Sequence, residues 1–156
     1  MELFLSTFVN KVDRKGRVSV PATFRAAVAD QSFPGIVIFP SFKYEALEAS
    51  GIKRMEEMTA RQATLDEFSD EHEDIGMLFA TSQAVPFDTE GRIVLPENLA
   101  QYAHIGDSAA FVGLGKSFQI WEPNRLADHQ ASVRERARRQ GTRLPPPAAA
   151  AARPRE

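Results

Sequence analysis

The strongest constraint on the fold of this chain is an internal repeat of a short charged motif. The pattern Asp-x-x-Gly-Arg occurs at residues 13–17 and again at residues 88–92, and each copy is followed four residues later by a proline, Pro21 or Pro96. The two copies lie 75 positions apart in a chain of 156 residues. A motif repeated at about half the length of the chain predicts two similar supersecondary units packed about a pseudo-two-fold axis.

The residues around the first motif predict a small β-rich unit. Gly16 stands late in the turn, where it can take the positive φ that a tight hairpin requires. Pro21 fits the first turn of a helix and does not fit the centre of a sheet. The apolar run after Gly35 is short and β-branched, which indicates a buried strand. The predicted elements are strands at 7–12, 17–20, 36–39 and 44–47 and a short helix at 22–29.

The second motif is followed by the same order of elements. Strands are predicted at 83–87, 92–95, 109–112 and 118–121, and a short helix at 97–103. With a one-residue change of offset, residues 44–48 align with residues 118–122, so the repeat extends beyond the motif. The predicted fold class is therefore α+β, with two pseudo-symmetric β units that each carry a short helix.

The segments outside the two units predict helices and a tail. Apolar residues at helical spacing predict peripheral helices at 52–65 and 71–79, and a last helix runs from about 124 to 140. Beyond Gly141, three prolines, a five-alanine run and scattered arginines cannot bury enough surface to offset ordering, which predicts a disordered C-terminal tail. The predicted domain boundaries are 5–51 for the first unit, 52–80 for a helical connector, 81–125 for the second unit, 126–140 for the C-terminal helix and 141–156 for the tail.

Composition narrows the class of protein without identifying one. The chain has no cysteine, which excludes disulfides and thiolate nucleophiles and is compatible with a reducing compartment. No apolar run approaches the ~20 residues that span a bilayer, and the N-terminus lacks the pattern of a signal peptide. We therefore predict a soluble, cytoplasmic protein with no membrane partner. The formal net charge of −2 conceals an asymmetry, since residues 134–156 contain seven arginines against two glutamates.

The two motif turns differ in charge. In the first turn four cations lie within seven residues against one acid, whereas in the second turn Arg92 faces Asp88 and Glu90. A basic turn between two strands suits phosphate neutralisation and readout of guanine in the major groove, which admits a two-stranded ribbon. The simpler interpretation is that each aspartate binds its own turn and its own arginine, so that the motif only braces a hairpin. The residues of the first turn are Lys11, Asp13, Arg14, Lys15 and Arg17.

These motifs carry a resemblance to a known family. Residues 12–21, their counterparts 87–96 and the stretch 111–121 resemble the MraZ family, and the resemblance covers roughly residues 5–140. It implies a tandem pair of swapped-hairpin units of the AbrB type and a ring-shaped homo-oligomer. It also implies transcriptional control of the bacterial division and cell-wall gene cluster, through binding of double-stranded promoter DNA in the nucleoid.

The resemblance implies roles for individual residues of the motif. DNA contact is implied for Lys15 and Arg17 in the first turn and for Arg92 in the second, and charge alone adds Arg14. Glu90 stands where the family often has a lysine or a small residue. The residues expected to hold the turns in place are Asp13, Gly16, Asp88 and Gly91.

Three patterns that are typical of catalysis or ligand binding fail on spacing. The phrase at 113–117 resembles the end of a phosphate-binding loop, but its first glycine would fall at Ala110 and a strand follows where a helix is needed. The two motif aspartates lack the Asp-Thr-Gly phrase of aspartic proteases, because Glu90 interrupts it. The three histidines are not spaced as metal ligands. We therefore predict no catalytic residue, no metal, no cofactor and no small-molecule substrate.

Two classes of function follow from the motif turns. In the first, the protein is a DNA-binding transcriptional regulator whose homo-oligomeric ring presents the first turn to repeated promoter boxes. In the alternative, it is a homo-oligomeric assembly protein that binds no DNA and whose Asp/Arg turns form subunit interfaces. Substitution of Arg17 by alanine separates the two, since it weakens DNA binding in the first case and breaks the oligomer in the second.

Overall fold

The computed structural model describes residues 3–147, and within them the chain forms eight strands and five helices. One compact unit runs as far as Leu126 and contains all eight strands, and the other begins at Ala127 and contains most of the last helix. The elements are β1 (Thr7–Lys11), β2 (Arg17–Ser19), α1 (Ala22–Ala27), β3 (Gly35–Pro40), β4 (Leu47–Ser50), α2 (Ile52–Gln62), α3 (Asp70–Thr81), β5 (Gln83–Pro86), β6 (Arg92–Val94), α4 (Glu97–Tyr102), β7 (Ser108–Gly113), β8 (Phe118–Trp121) and α5 (Pro123–Gln140).

Each half of the chain completes its sheet with a strand from the other half. Strand β1 pairs antiparallel with β7 of the second half, and β5 pairs antiparallel with β3 of the first half. The resulting six-stranded sheet has the order β1-β7-β8-β4-β3-β5, and β2 and β6 form a separate two-stranded ribbon. Around the first turn, the backbone bridge lies between Val12 and Val18, and Nδ2 of Asn10 in β1 donates a hydrogen bond to the carbonyl of Ser19 in β2 at 2.7 Å. The exchanged strands confirm the predicted α+β fold of swapped-hairpin units.

The strand registers define a pseudo-two-fold axis. In the ribbon, Val18 lies opposite Ile93, and these two residues occupy the same position in the two copies of the repeat. In the large sheet, β4 lies beside β8 with Glu48 opposite Gln119. An axis that relates the halves passes between each pair, because a residue can face its own equivalent only on a two-fold axis.

The core lies against the short helices α1 and α4. Each helix begins directly after a proline, Pro21 or Pro96, whose missing N–H removes one of the donors that the start of a helix leaves unpaired. Phe24 of α1 is fully buried, and its ring centroid lies 4.9 Å from that of Phe118. Leu99 holds the equivalent position in α4 and is also buried. Burial of each such side chain contributes about 1.5–3 kcal/mol.

One strand of the first half is displaced from its predicted position. The prediction of a strand at 44–47 is wrong, because β4 begins at Leu47 and ends at Ser50. The preceding residues form a turn in which the Ser41 hydroxyl accepts hydrogen bonds from the backbone N–H groups of Lys43 and Tyr44, at 3.2 and 3.1 Å. The β3–β4 connection is two residues longer than the β7–β8 connection, so Leu47 and not Tyr44 corresponds to the first residue of β8.

The remaining elements form within a few residues of their predicted positions, and the largest difference is at α2, which ends at Gln62. In the described part of the chain, no helix is long and apolar enough to cross a membrane. The same residues contain no cluster of three or more histidine or acidic side chains that could hold a metal ion. The predicted tail at 141–156 lies partly outside the described residues, and 142–147 contain no helix or strand. The predicted domain boundaries stay a prediction.

Candidate nucleic-acid interface

The first motif turn is closed by its own backbone. The N–H of Gly16 donates a hydrogen bond to the carbonyl of Asp13 at 3.0 Å, and the N–H of Asp13 donates to the carbonyl of Arg17 at 3.0 Å. Gly16 has a φ of +79°, a backbone conformation that residues with a Cβ rarely adopt. The conformation of the turn therefore favours glycine at this position.

The carboxylate of Asp13 accepts hydrogen bonds from other residues of its own turn. Its Oδ1 accepts hydrogen bonds from the backbone N–H groups of Lys15 and Arg17, both at 2.9 Å. Its Oδ2 accepts a hydrogen bond from Nε of Arg17 at 2.6 Å. The backbone N–H of Arg17, followed by the Arg17 side chain and the N–H of Lys15, holds the pKa of Asp13 below its usual value. Asp13 thus stays ionised while it orients Arg17.

The second motif turn repeats this geometry. The carboxylate of Asp88 accepts hydrogen bonds from the backbone N–H groups of Glu90 and Arg92, at 2.8 and 2.9 Å, and from Nε of Arg92 at 3.0 Å. Gly91 has a φ of +77°. The backbone N–H of Arg92, followed by that of Glu90, lowers the pKa of Asp88. The two turns are therefore nearly identical in backbone and differ in the side chains that they carry.

Charge separates the two turns. Arg14 and Lys15 are exposed, and within the described residues neither forms an ion pair. The same positions of the second turn hold Thr89 and Glu90, and a carboxylate oxygen of Glu90 lies 3.5 Å from Nη2 of Arg92. The first turn therefore presents two cations, Arg14 and Lys15, that pair with no acid of the described residues, whereas Arg92 pairs with two acids.

The ribbon of β2 and β6 brings the two motif arginines to one face. Val18 and Ile93 point inward and are 1% exposed, so their neighbours along each strand point outward. Arg17 lies opposite Val94, two residues from Arg92, which places the two arginines as diagonal cross-strand neighbours about 7–8 Å apart at Cα. The Arg17 side chain is 35% exposed and that of Arg92 is 26% exposed.

An arginine that the motif did not predict also lies at this surface. Arg25 of α1 donates a hydrogen bond from Nε to the carbonyl of Val20 at 3.1 Å, and its guanidinium covers Gly91 of the second turn. The repeat places Ala100 at the corresponding position of α4. The sequence therefore contains a signal for this residue, because α1 has an arginine where α4 has an alanine. The sequence does not show which turn Arg25 contacts, since that depends on how one half packs on the other.

The patterns that sequence analysis rejected form ordinary structure. Gly115 lies in the β7–β8 turn, where the N–H of Leu114 donates to the carbonyl of Ser117 at 2.9 Å, and strand β8 follows. Each motif aspartate binds an arginine of its own turn instead of sharing a proton with the other aspartate. Nε2 of His104 lies 3.2 Å from Oε1 of Glu45.

Known proteins are similar in sequence to this chain over most of its length. The model of a protein family described as "MraZ protein, putative antitoxin-like" matches residues 78–143. A relative from Gluconobacter oxydans (strain 621H) is 40% identical over 156 residues, which cover 97% of this chain and 95% of the relative. A relative from Rickettsia bellii (strain OSU 85-389) is 40% identical over 139 residues, which cover 88% of this chain and 93% of the relative. Both relatives are named "Transcriptional regulator MraZ".

Proposed function

Because this chain belongs to the MraZ family, we propose that it is a transcriptional regulator that binds double-stranded DNA through its first motif turn. The names of the relatives support the regulatory role, and the charge of the turn supports the mode of binding. One observation carries the proposal: Arg14 and Lys15 are exposed, form no ion pair with any residue of 3–147, and lie on a turn that Asp13 holds in place. The relatives of this chain are named as regulators and not as enzymes. DNA binding itself requires no catalytic residue.

The first turn has the physical features of a phosphate-binding element. Two hydrogen bonds from backbone N–H groups to Asp13 fix the backbone of the turn before DNA arrives, and a third fixes the side chain of Arg17, so binding costs little ordering of the turn. Arg14 and Lys15 extend from the tip, and each phosphate that they neutralise releases condensed counterions. Arg17 uses Nε to bind Asp13, and in the described part of the chain its Nη groups have no acceptor. Those groups are available to a phosphate or to a guanine edge.

We further propose that the active form is a ring-shaped homo-oligomer, located in the nucleoid, that acts on the promoter of the division and cell-wall gene cluster. A single turn that neutralises two or three phosphates binds weakly at physiological salt. Several copies on one rigid assembly raise the effective concentration of each later contact, so repeated turns match repeated DNA boxes. A monomeric variant that bound the promoter as tightly as the native assembly would contradict this proposal.

Exchange of the turn tips tests the role of the first turn. Arg14→Thr combined with Lys15→Glu gives the first turn the side chains of the second, and Thr89→Arg combined with Glu90→Lys makes the reciprocal change. Binding is measured by footprinting on the DNA upstream of the protein's own gene, over a range of salt concentrations. We expect the first exchange to weaken binding and to reduce the slope of log K against log salt by about 0.9 per lost phosphate contact.

The reciprocal exchange is the matched control, because it changes equally exposed positions and should not weaken binding. Both variants should retain the oligomer mass and melting temperature of the wild type, since neither tip belongs to the core. If the first exchange leaves both affinity and slope unchanged, the first turn is not the DNA contact. If Arg17→Ala dissociates the oligomer, the turns form subunit interfaces and the alternative function of a non-DNA assembly protein gains support.

A further inference from the structure

An arginine from the first half of the chain lies on the turn of the second half. Nε of Arg25 donates to the carbonyl of Val20 at 3.1 Å, and the N–H of Val20 donates to the carbonyl of Gly91 at 3.1 Å. A Cβ at position 91 would stand 2.6 Å from both Cζ and Nη1 of Arg25. The absence of a side chain at Gly91 is therefore what allows the guanidinium to reach this turn.

The first turn has no equivalent arginine. The corresponding residue of α4 is Ala100, and a Cβ at Gly16 would meet the carbonyl oxygen of Leu95 at 3.4 Å and no guanidinium. Because the two turns share their backbone conformation, the difference lies in the cation and not in the shape of the turn.

Arg25 is also a cation at this turn, and no acid among residues 3–147 pairs with it. Arg92 pairs with Asp88 and Glu90, whereas within the described residues Arg25 forms no ion pair and its Nη groups have no acceptor. The two Nη groups carry four of the five N–H donors of a guanidinium, in the planar arrangement that binds phosphate. The formal charge of residues 88–92 is −1, and Arg25 offsets it.

We propose that the Nη groups of Arg25 bind a phosphate of duplex DNA at the second turn. Both motif turns then contact DNA, the first through its own Arg14 and Lys15 and the second through an arginine supplied by the other half of the chain. This inference rests on the proposed function, because it assigns a second contact to the same DNA partner.

The hydrogen bond to Val20 gives Arg25 a structural role that must be separated from DNA binding. A glutamine at position 25 places its Nε2 the same number of bonds from Cα as Nε of arginine. Arg25→Gln therefore keeps a donor for the carbonyl of Val20 and removes only the Nη groups and the charge. A purely structural role predicts that this variant binds DNA like the wild type.

The experiment measures the affinity for a duplex of the DNA upstream of the protein's own gene as a function of salt concentration. The proteins are the wild type, Arg25→Gln, and Arg61→Gln as a control for the loss of one exposed arginine outside both turns. We expect Arg25→Gln to reduce the slope of log K against log salt by about 0.9, which makes its affinity deficit differ roughly twofold between about 0.1 and 0.2 M salt. Arg61→Gln should keep the wild-type slope.

An unchanged slope in a folded Arg25→Gln protein would overturn the inference. The proposed function would survive that result if the exchange of Arg14 and Lys15 still reduced the slope, whereas wild-type binding that did not depend on salt would refute the proposed function itself. If Arg25→Gln melts below the assay temperature, Ala100→Arg tests the inference in the opposite direction. An arginine at that equivalent position should increase the slope by about 0.9; a folded Ala100→Arg protein with the wild-type slope would overturn the inference.

Discussion

Alanine substitution of the two motif glycines distinguishes two contributions to the loss of stability. One is the backbone strain of a positive φ, which both turns share, and the other is a clash with Arg25, which only the second turn has. Gly16 and Gly91 have φ values of +79° and +77°. Alanine in the left-handed region costs about 1–2 kcal/mol, because its Cβ crowds the following carbonyl oxygen. The Cβ at position 16 would meet nothing closer than the carbonyl oxygen of Leu95 at 3.4 Å. We therefore expect Gly16→Ala to lower the free energy of unfolding by about 1–2 kcal/mol.

Gly91→Ala should cost more, because its Cβ would stand 2.6 Å from Cζ of Arg25 and the guanidinium must move away. This movement breaks the hydrogen bond from Arg25 to the carbonyl of Val20. Since that bond is only partly buried and water can replace it in part, its loss contributes about 1–2 kcal/mol. The expected total loss for Gly91→Ala is about 2–4 kcal/mol.

The assay is urea unfolding followed by circular dichroism for Gly16→Ala and Gly91→Ala, each with and without Arg25→Ala. All measurements use one protein concentration, because any self-association would add to the apparent stability. Without the Arg25 side chain, the extra cost of Gly91→Ala should disappear, which is a coupling of about 1–2 kcal/mol between positions 25 and 91. Equal costs for the two glycines in the presence of Arg25, or a coupling of zero, would refute the contact between Arg25 and the second turn.

Two further predictions concern carboxylates. Folding lowers the pKa of Asp13 below 3.8, so its contribution to stability is present above about pH 3.8 and is lost as the pH falls through the lower folded value. The stability difference between the wild type and Asp13→Asn in urea should therefore shrink toward low pH, and a constant difference would contradict this. Gln119→Glu should place a second carboxylate beside Glu48 and lower the free energy of unfolding by about 1–3 kcal/mol at pH 7. Because a carboxylate that takes up a proton no longer repels its neighbour, thermal melting should show that the stability partly recovers near pH 4. An equal loss of stability at both pH values would contradict this prediction.

The repeat made much of the fold predictable, because a turn with an inward aspartate and a glycine at positive φ has few backbone solutions. Both turns have the predicted backbone, and the short helices begin directly after Pro21 and Pro96 as expected. The exchange of strands between the halves was implied by the family resemblance and not by the pattern of residues. Pairing between β1 and β7 joins segments about 100 residues apart and leaves no local signal in either.

Two features could not be read from the sequence for the same physical reason. The position of β4 depends on how the Ser41 side chain binds the two following N–H groups, and spacing alone does not fix the length of such a turn. The position of Arg25 depends on packing between α1 and a turn more than 60 residues away. In both cases the deciding interactions are a few specific hydrogen bonds or contacts of one side chain, which hydrophobic periodicity does not record.

The residues on the pseudo-two-fold axis show what covalent fusion of the two copies makes possible. In a homodimer of separate, identical units, Glu48 would lie opposite another Glu48, and like charges across a strand pair repel. In the fused chain its partner is Gln119, whose amide donates to both oxygens of Glu48 at 3.2 and 3.1 Å and whose own oxygen accepts from Nε1 of Trp121 at 2.8 Å. In a tandem polypeptide, a residue on the axis faces a different residue of the same chain, so it need not pack against a copy of itself. Each half can then mutate independently into the complement of the other.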